Sequence, residues 1–187
     1  MTRDKILEAA AQIFSEKGFH AASMQDIARA VNLQKASLYH HVSSKQEILL
    51  ALLDKALDIL IDTIGKVAAA ALPPQEKLRE AIRIYLEILT SQRGLSAVLL
   101  FEHRSLDADL RARHIPRRDR FEGLWRGLLQ EGVDDGVFQC SDPALVARAL
   151  LGVMNWTITW YRADGPLNVD EIASQYAEMT LNGLLIR

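Results

Sequence analysis

Apolar positions along this chain recur almost everywhere at helical spacing, and no stretch alternates as a strand would. Thr2 to about Lys17 places Ile6, Ala10, Ile13 and Phe14 on one face, with Gly18 after the end as a cap. Ser23 can cap a second helix, with Asp26 at its third position and Ile27, Ala28 and Val31 facing in. Val31-Asn32-Leu33-Gln34 is a turn, because asparagine enters left-handed geometry at small cost. A third helix is expected over Lys35 to His41, with Leu38 and Val42 inward and Lys35, Ser37, Tyr39 and His40 outward. Ser44-Lys45-Gln46-Glu47 reads as a capping box that opens a fourth helix, reaching about Ala70.

Leu72-Pro73-Pro74 stops that helix, and a fifth follows over Gln75 to Ser91. Gly94 interrupts before a short helix over Leu95 to His103. Ser105 to about Glu131 is helical again, with Pro116 expected to kink or split it near Arg113. Asp142-Pro143 opens an eighth helix that reaches Arg162, and Asp170 to Leu185 forms the ninth. The eighth is apolar on nearly every side and must be covered all round. The ninth carries apolar residues on two sides. These patterns predict an all-α chain of about nine helices, paired as a twofold dimer through helices eight and nine. A monomer with one large core is the alternative. The expected division is 1–46, a three-helix head, and 47–187, a larger helical bundle.

Two short helices joined by a tight turn have helix-turn-helix geometry, and the second is sized for the DNA major groove. The run IARAVNLQKASLYHHVSSKQEIL resembles the N-terminal signature of the tetracycline-repressor (TetR) family. Four positions depart from it: Asn32 replaces the usual Gly, Gln34 a Ser or Thr, Val42 a Phe and Ser43 a Pro. The resemblance and the spacing nominate Ser23, Gln34, Lys35, Ala36, Ser37, Tyr39, His40 and Lys45 as the DNA-contacting set. It also implies a homodimeric regulator of transcription that binds a double-stranded operator.

Charge agrees locally rather than globally. The chain carries a net −2, yet through Glu47 six Lys and Arg face five acids. Phosphate contacts are local and screened within roughly 8 Å, so a slightly basic head on an acidic body suffices. One cysteine, Cys140, excludes an internal disulfide and fits a reducing cytoplasm. No run approaches the ~20 apolar residues of a membrane span. His40-His41 and Glu102-His103 lack metal-ligand or nucleophile-base spacing, and no phosphate loop or cofactor motif occurs, so an enzyme is not expected.

The bundle is expected to hold a small molecule, with Tyr85, Phe101, Arg104, Trp125, Trp156 and Trp160 as the candidate lining. The stretch GVMNWTITWYRADGPLNVDEIA resembles the C-terminal region of TetR regulators that answer to acyl-CoA thioesters. Arg104, Arg111, Arg113, Arg117, Arg118 and Arg120 cluster around helix seven and suit an anionic, phosphate-bearing head group. The plainer reading pairs them with Glu102, Asp107, Asp109 and Asp119 on a solvated face. A drug-efflux regulator sensing an aromatic cation is the alternative function. The arginines count against it, since like charges repel.

Overall fold

The computed structural model describes residues 2–185. Its helices are α1 (Arg3–Lys17), α2 (Met24–Ala30), α3 (Lys35–Leu38), α4 (Lys45–Ala68), α5 (Pro74–Ser91), α6 (Arg93–Ala97), α7 (Ala108–Asp134), α8 (Pro143–Trp160) and α9 (Val169–Leu184). Among the described residues there is no multi-residue strand, only an isolated antiparallel bridge between Phe138 and Leu185. The all-α expectation therefore stands. The chain divides into two compact units, one running to Asp58 and including Gln92–Arg118, the other comprising Ile59–Ser91 and the chain from Asp119. α4 and α7 each contribute to both.

In the first unit, α1, α2 and α3 wrap a core of Ile6, Phe14, Ile27, Leu38, Leu49 and Leu53, all essentially inaccessible to solvent. Gly18 ends α1 with φ 78°, a left-handed value that suits glycine. Ser23 caps α2 in a full box: its hydroxyl accepts from Asp26 N–H, and the Asp26 carboxylate accepts from Ser23 N–H at 2.9 Å. Asn32 takes φ 55° in the turn, as expected. α3 is shorter than the spacing predicts. Its regular part ends at Leu38, and Tyr39 to His41 continue as tighter turns in which His40 and His41 N–H donate to the Ser37 and Leu38 carbonyls. Gln34 supplies no side-chain cap to α3, and without one a four-residue helix has little to hold a second turn.

The expected helix over Leu95–His103 is also corrected. A short α6 gives way to a wider π-type turn over Val98–Glu102 and a 3₁₀ turn over His103–Ser105. Gly94 lies inside α6 rather than before it. Pro116 does not split α7, which continues through it. The carbonyl its ring leaves without a donor belongs to Ala112, which is exposed and open to water.

In the second unit α5 packs against α8 and α9. Lys77, almost buried, donates to the Ala68 carbonyl at 3.0 Å, satisfying one orphan at the end of α4, and to Glu131 on α7 at 2.6 Å. Asp142 caps α8 through the N–H groups of Ala144 and Leu145, with Pro143 in the first turn. Asn168 and Glu171 form a reciprocal capping box that opens α9 one residue early.

Candidate nucleic-acid interface and effector region

The outward side of α2 and α3 carries most of the nominated DNA-contacting residues. Gln34, Lys35, Ala36 and His40 are exposed, Ser37 is half-buried, and Tyr39 is 47% exposed despite its size. Leu38 and Val42, buried beneath them, anchor this face to the head. A phenol in the open offers both a ring and a donor to a partner. Ser23 is exposed but already committed, its hydroxyl lying 2.6 Å from Asp26 Oδ2. That hydroxyl first, then the Ser23 N–H and Lys17, hold the Asp26 carboxyl down at about 2.

Lys45 is turned inward. Its ammonium donates to the carbonyls of Phe19 at 2.8 Å and Ala22 at 2.7 Å, reaches that of His20 at 3.5 Å, and lies 4.4 Å from the centre of the Phe19 ring. The three donors of the group are thereby used inside the head, where they tie the α1–α2 connection to the start of α4.

The nominated effector residues fall into three places. Tyr85 and Trp125 are brought together in the core of the second unit, with Phe121 as a third ring. Tyr85 stacks on Phe121 at 5.8 Å and meets Trp125 edge-on at 5.7 Å. The Tyr85 hydroxyl donates to Asn155 Oδ1, and burial pushes it above the ordinary phenol range. Trp125 Nε1 is buried without a hydrogen-bond partner. Trp156 and Trp160 do not join this cluster. They stand outward on α8, 67% and 43% exposed, in line with Leu145 and Val153. Met179 and Gly183 are likewise exposed on α9. Phe101 and Arg104 belong to the first unit, where both are exposed.

Three of the arginines on α7 find partners other than those expected. Arg117 pairs with Asp58 and lies 3.7 Å from Asp54, Arg113 is 3.7 Å from Glu47, and Arg111 donates to the Arg104 and Leu106 carbonyls. The acids are those of α4, because the α7 start lies along α4 within the first unit.

Sequence reasoning passed over His114, which is buried beside Asp54. The signal was present: four residues after Leu110 and seven before Phe121, it occupies an apolar-face position of α7. Burial lowers the pKa of the neighbouring His103 below the ordinary histidine value. Among the described residues no group of three His, Cys, Asp or Glu could hold a metal ion, and no helix is long and apolar enough to cross a membrane.

Comparison with known proteins agrees with this architecture. The chain is 31% identical over 184 residues to the HTH-type transcriptional repressor KstR2 of Rhodococcus jostii (strain RHA1), covering 97% of this chain and 90% of that one. The crystal structure of the TetR family regulator PfmR from Thermus thermophilus superposes with a TM-score of 0.87 at 40% identity, covering 97% of this chain and 99% of PfmR. That of AibR in complex with isovaleryl coenzyme A and operator DNA gives 0.87 at 28% identity, covering 95% and 96%. These relatives are regulators of transcription rather than enzymes. Residues 6–52 match the family described as bacterial regulatory proteins, tetR family, and residues 71–184 match the tetracyclin repressor-like C-terminal domain. The chain belongs to the TetR family of DNA-binding transcriptional regulators.

Proposed function

We propose that this protein is a homodimeric repressor that releases a palindromic operator when an acyl-CoA thioester binds its C-terminal domain. The observation that supports the effector class and the operator is the likeness, over 95% of the chain, to a regulator crystallised with both isovaleryl coenzyme A and operator DNA; release on binding is the part that the test below decides. The division 1–46 and 47–187 is kept as the functional one: a reader, and a body for effector and partner. The exposed line Leu145, Val153, Trp156 and Trp160 on α8, with Met179 on α9, supports pairing with a second copy, since a monomer would leave these side chains in water. Two readers then stand about one turn of DNA apart, ~34–36 Å. Lys35, Ser37, Tyr39 and His40 are the contacts assigned to DNA, with Gln34, Ala36 and Ser23 at the edge of the same face. Lys45 acts from behind as a clamp. Tyr85 and Trp125 are assigned to the acyl part of the effector; Phe101 and Arg104, nominated with them, lie in the other unit and are left out of this assignment. Trp156 and Trp160 move to the dimer face.

α4, 24 residues and roughly 36 Å long, starts at the head and ends beside α5. An effector that displaces its far end re-aims the reader. For near-complete release, from 1:99 to 99:1, it must favour the released form by about 5.5 kcal/mol. The test is fluorescence anisotropy of a labelled DNA fragment from beside the gene, titrated with a panel of acyl-CoA thioesters. Release by at least one thioester is the expected result. Release by cationic dyes and by no thioester would replace this reading with the drug-efflux one.

A further inference from the structure

Both chain ends of the reader are bonded to one short stretch of the first unit, residues 102–107. Ahead of α2, the Phe19 N–H donates to Glu102 Oε1 at 3.1 Å, and Ser105 Oγ lies 3.3 Å from His20 Nε2. After α3, Gln46 Nε2 donates to the Ser105 carbonyl at 2.9 Å, and Gln46 Oε1 accepts from the Asp107 N–H at 3.2 Å. The stretch is tied to itself, because Glu102 Oε2 accepts from the Ser105 hydroxyl at 3.1 Å. Phe19 is gripped on its other side as well: its carbonyl accepts from Lys45 at 2.8 Å, and its buried ring meets Phe14 edge-on at 5.2 Å. Glu102 reaches it from the last position of the π-type turn. Each residue of an α-helix adds 100° of rotation, so without the extra residue of the wider turn this carboxylate would point about 100° away.

We infer that Glu102 and Gln46 are positioning residues for operator binding. Their side chains are spent on backbone groups inside the protein, and they act by holding α2 and α3, which lie between the two attachments, in one orientation. A reader already held as DNA needs it does not give up affinity to the time spent elsewhere. The inference needs only the DNA binding that the family match establishes, and it is independent of the acyl thioester.

The test is fluorescence anisotropy with a labelled operator fragment selected from random-sequence DNA by the parent protein. Glu102→Ala should bind it about three- to tenfold more weakly, the worth of one hydrogen bond per reader. Glu102→Gln keeps an oxygen for the Phe19 N–H and should restore parent affinity. Loss of one hydrogen bond leaves a domain of ordinary stability almost wholly folded at room temperature, so a group that only stabilised the fold would leave operator affinity unmoved. The slope of log affinity against log salt should match the parent, since no phosphate contact is removed. Parent or tighter affinity in a folded Glu102→Ala overturns the proposal, as does a changed salt slope. A Glu102→Gln as weak as Glu102→Ala also overturns it, because the acceptor is still present. Should Glu102→Ala fail to fold, Gln46→Ala decides: weaker operator binding at an unchanged salt slope supports the role, and parent affinity refutes it.

Discussion

Glu102 accepts the backbone N–H of Phe19 at 3.1 Å, joining residues 83 apart in the chain. Phe19 follows the left-handed Gly18 and opens the connection between α1 and α2, and Glu102 closes the π-type turn after α6. Its other oxygen accepts from the Ser105 hydroxyl at 3.1 Å. Gln46 at the start of α4 donates to the Ser105 carbonyl and accepts from Asp107 N–H. The head is therefore fastened to residues 92–118 by side-chain bonds as well as to α4 by covalent continuity. Glu102→Ala should cost about 1 kcal/mol, the usual worth of one such bond. The Phe19 amide should then exchange about fivefold faster. Unchanged protection at Phe19 would mean that the bond holds nothing.

Lys45 and Lys35 should separate in salt. Lys45→Met leaves three backbone carbonyls without their ammonium, so stability falls by about 2 kcal/mol. The dependence of operator affinity on salt should stay as it was. Lys35→Ala should leave stability alone and reduce the slope of log K against log salt by about 0.9 for each copy. A reduced slope in Lys45→Met would return that residue to the phosphate.

Trp156 is 67% exposed on α8 in this chain. Trp156→Glu should place a charge in the proposed interface between copies, where an unpaired buried charge is not tolerated. Sedimentation velocity should show a monomer with native helicity, and operator binding should disappear with the dimer. A variant that still sediments as a dimer would locate the interface elsewhere.

The cap at the start of α2 sets an acid limit on the head. The Asp26 carboxyl, held at about 2 instead of its ordinary 3.8, is ionised more easily folded than unfolded. A lowered pKa of this kind stabilises the fold above the unfolded value, and the contribution is lost as pH falls from about 4 towards 2. Ser23→Ala removes the main cause, so carboxyl titration by NMR should show Asp26 moving back towards its ordinary value. Failure to move would transfer the effect to Lys17, 3.3 Å away.

Gly132 in the last turns of α7 is there for want of a side chain. A Cβ on it would stand 2.0 Å from Cδ2 of the Phe138 ring, and the Phe138 N–H donates to the Gly132 carbonyl at 2.8 Å. Gly132→Ala should therefore destabilise by about 1–3 kcal/mol in denaturant melts. Shortening the ring with Phe138→Ala should make the two changes less than additive. Simple additivity would show that the two residues do not meet.

Helix positions, the reader and its turn were legible in the sequence because their causes are local. Ser23 and Asp26 are three residues apart, Asn32 bends its own backbone, and Leu38 and Val42 share one face by spacing alone. α6 breaks at Val98 for reasons no window of residues contains, whereas the shortness of α3 has a local cause in Gln34, which supplies no side-chain cap. The α6 segment takes the geometry its neighbours allow. The partners of charged groups were the least readable. Lys45 turns back to carbonyls some twenty-five residues earlier, and Arg113 and Arg117 pass over the nearby acids for those of α4. His114 sits in an apolar row, yet only the packed structure sets it beside Asp54 and leaves its second nitrogen empty. Periodicity and capping act within a few residues, so the sequence determined the helices and the family. Pairing of buried polar groups acts across the fold, so the tertiary structure alone decided which of them are spent and which remain open.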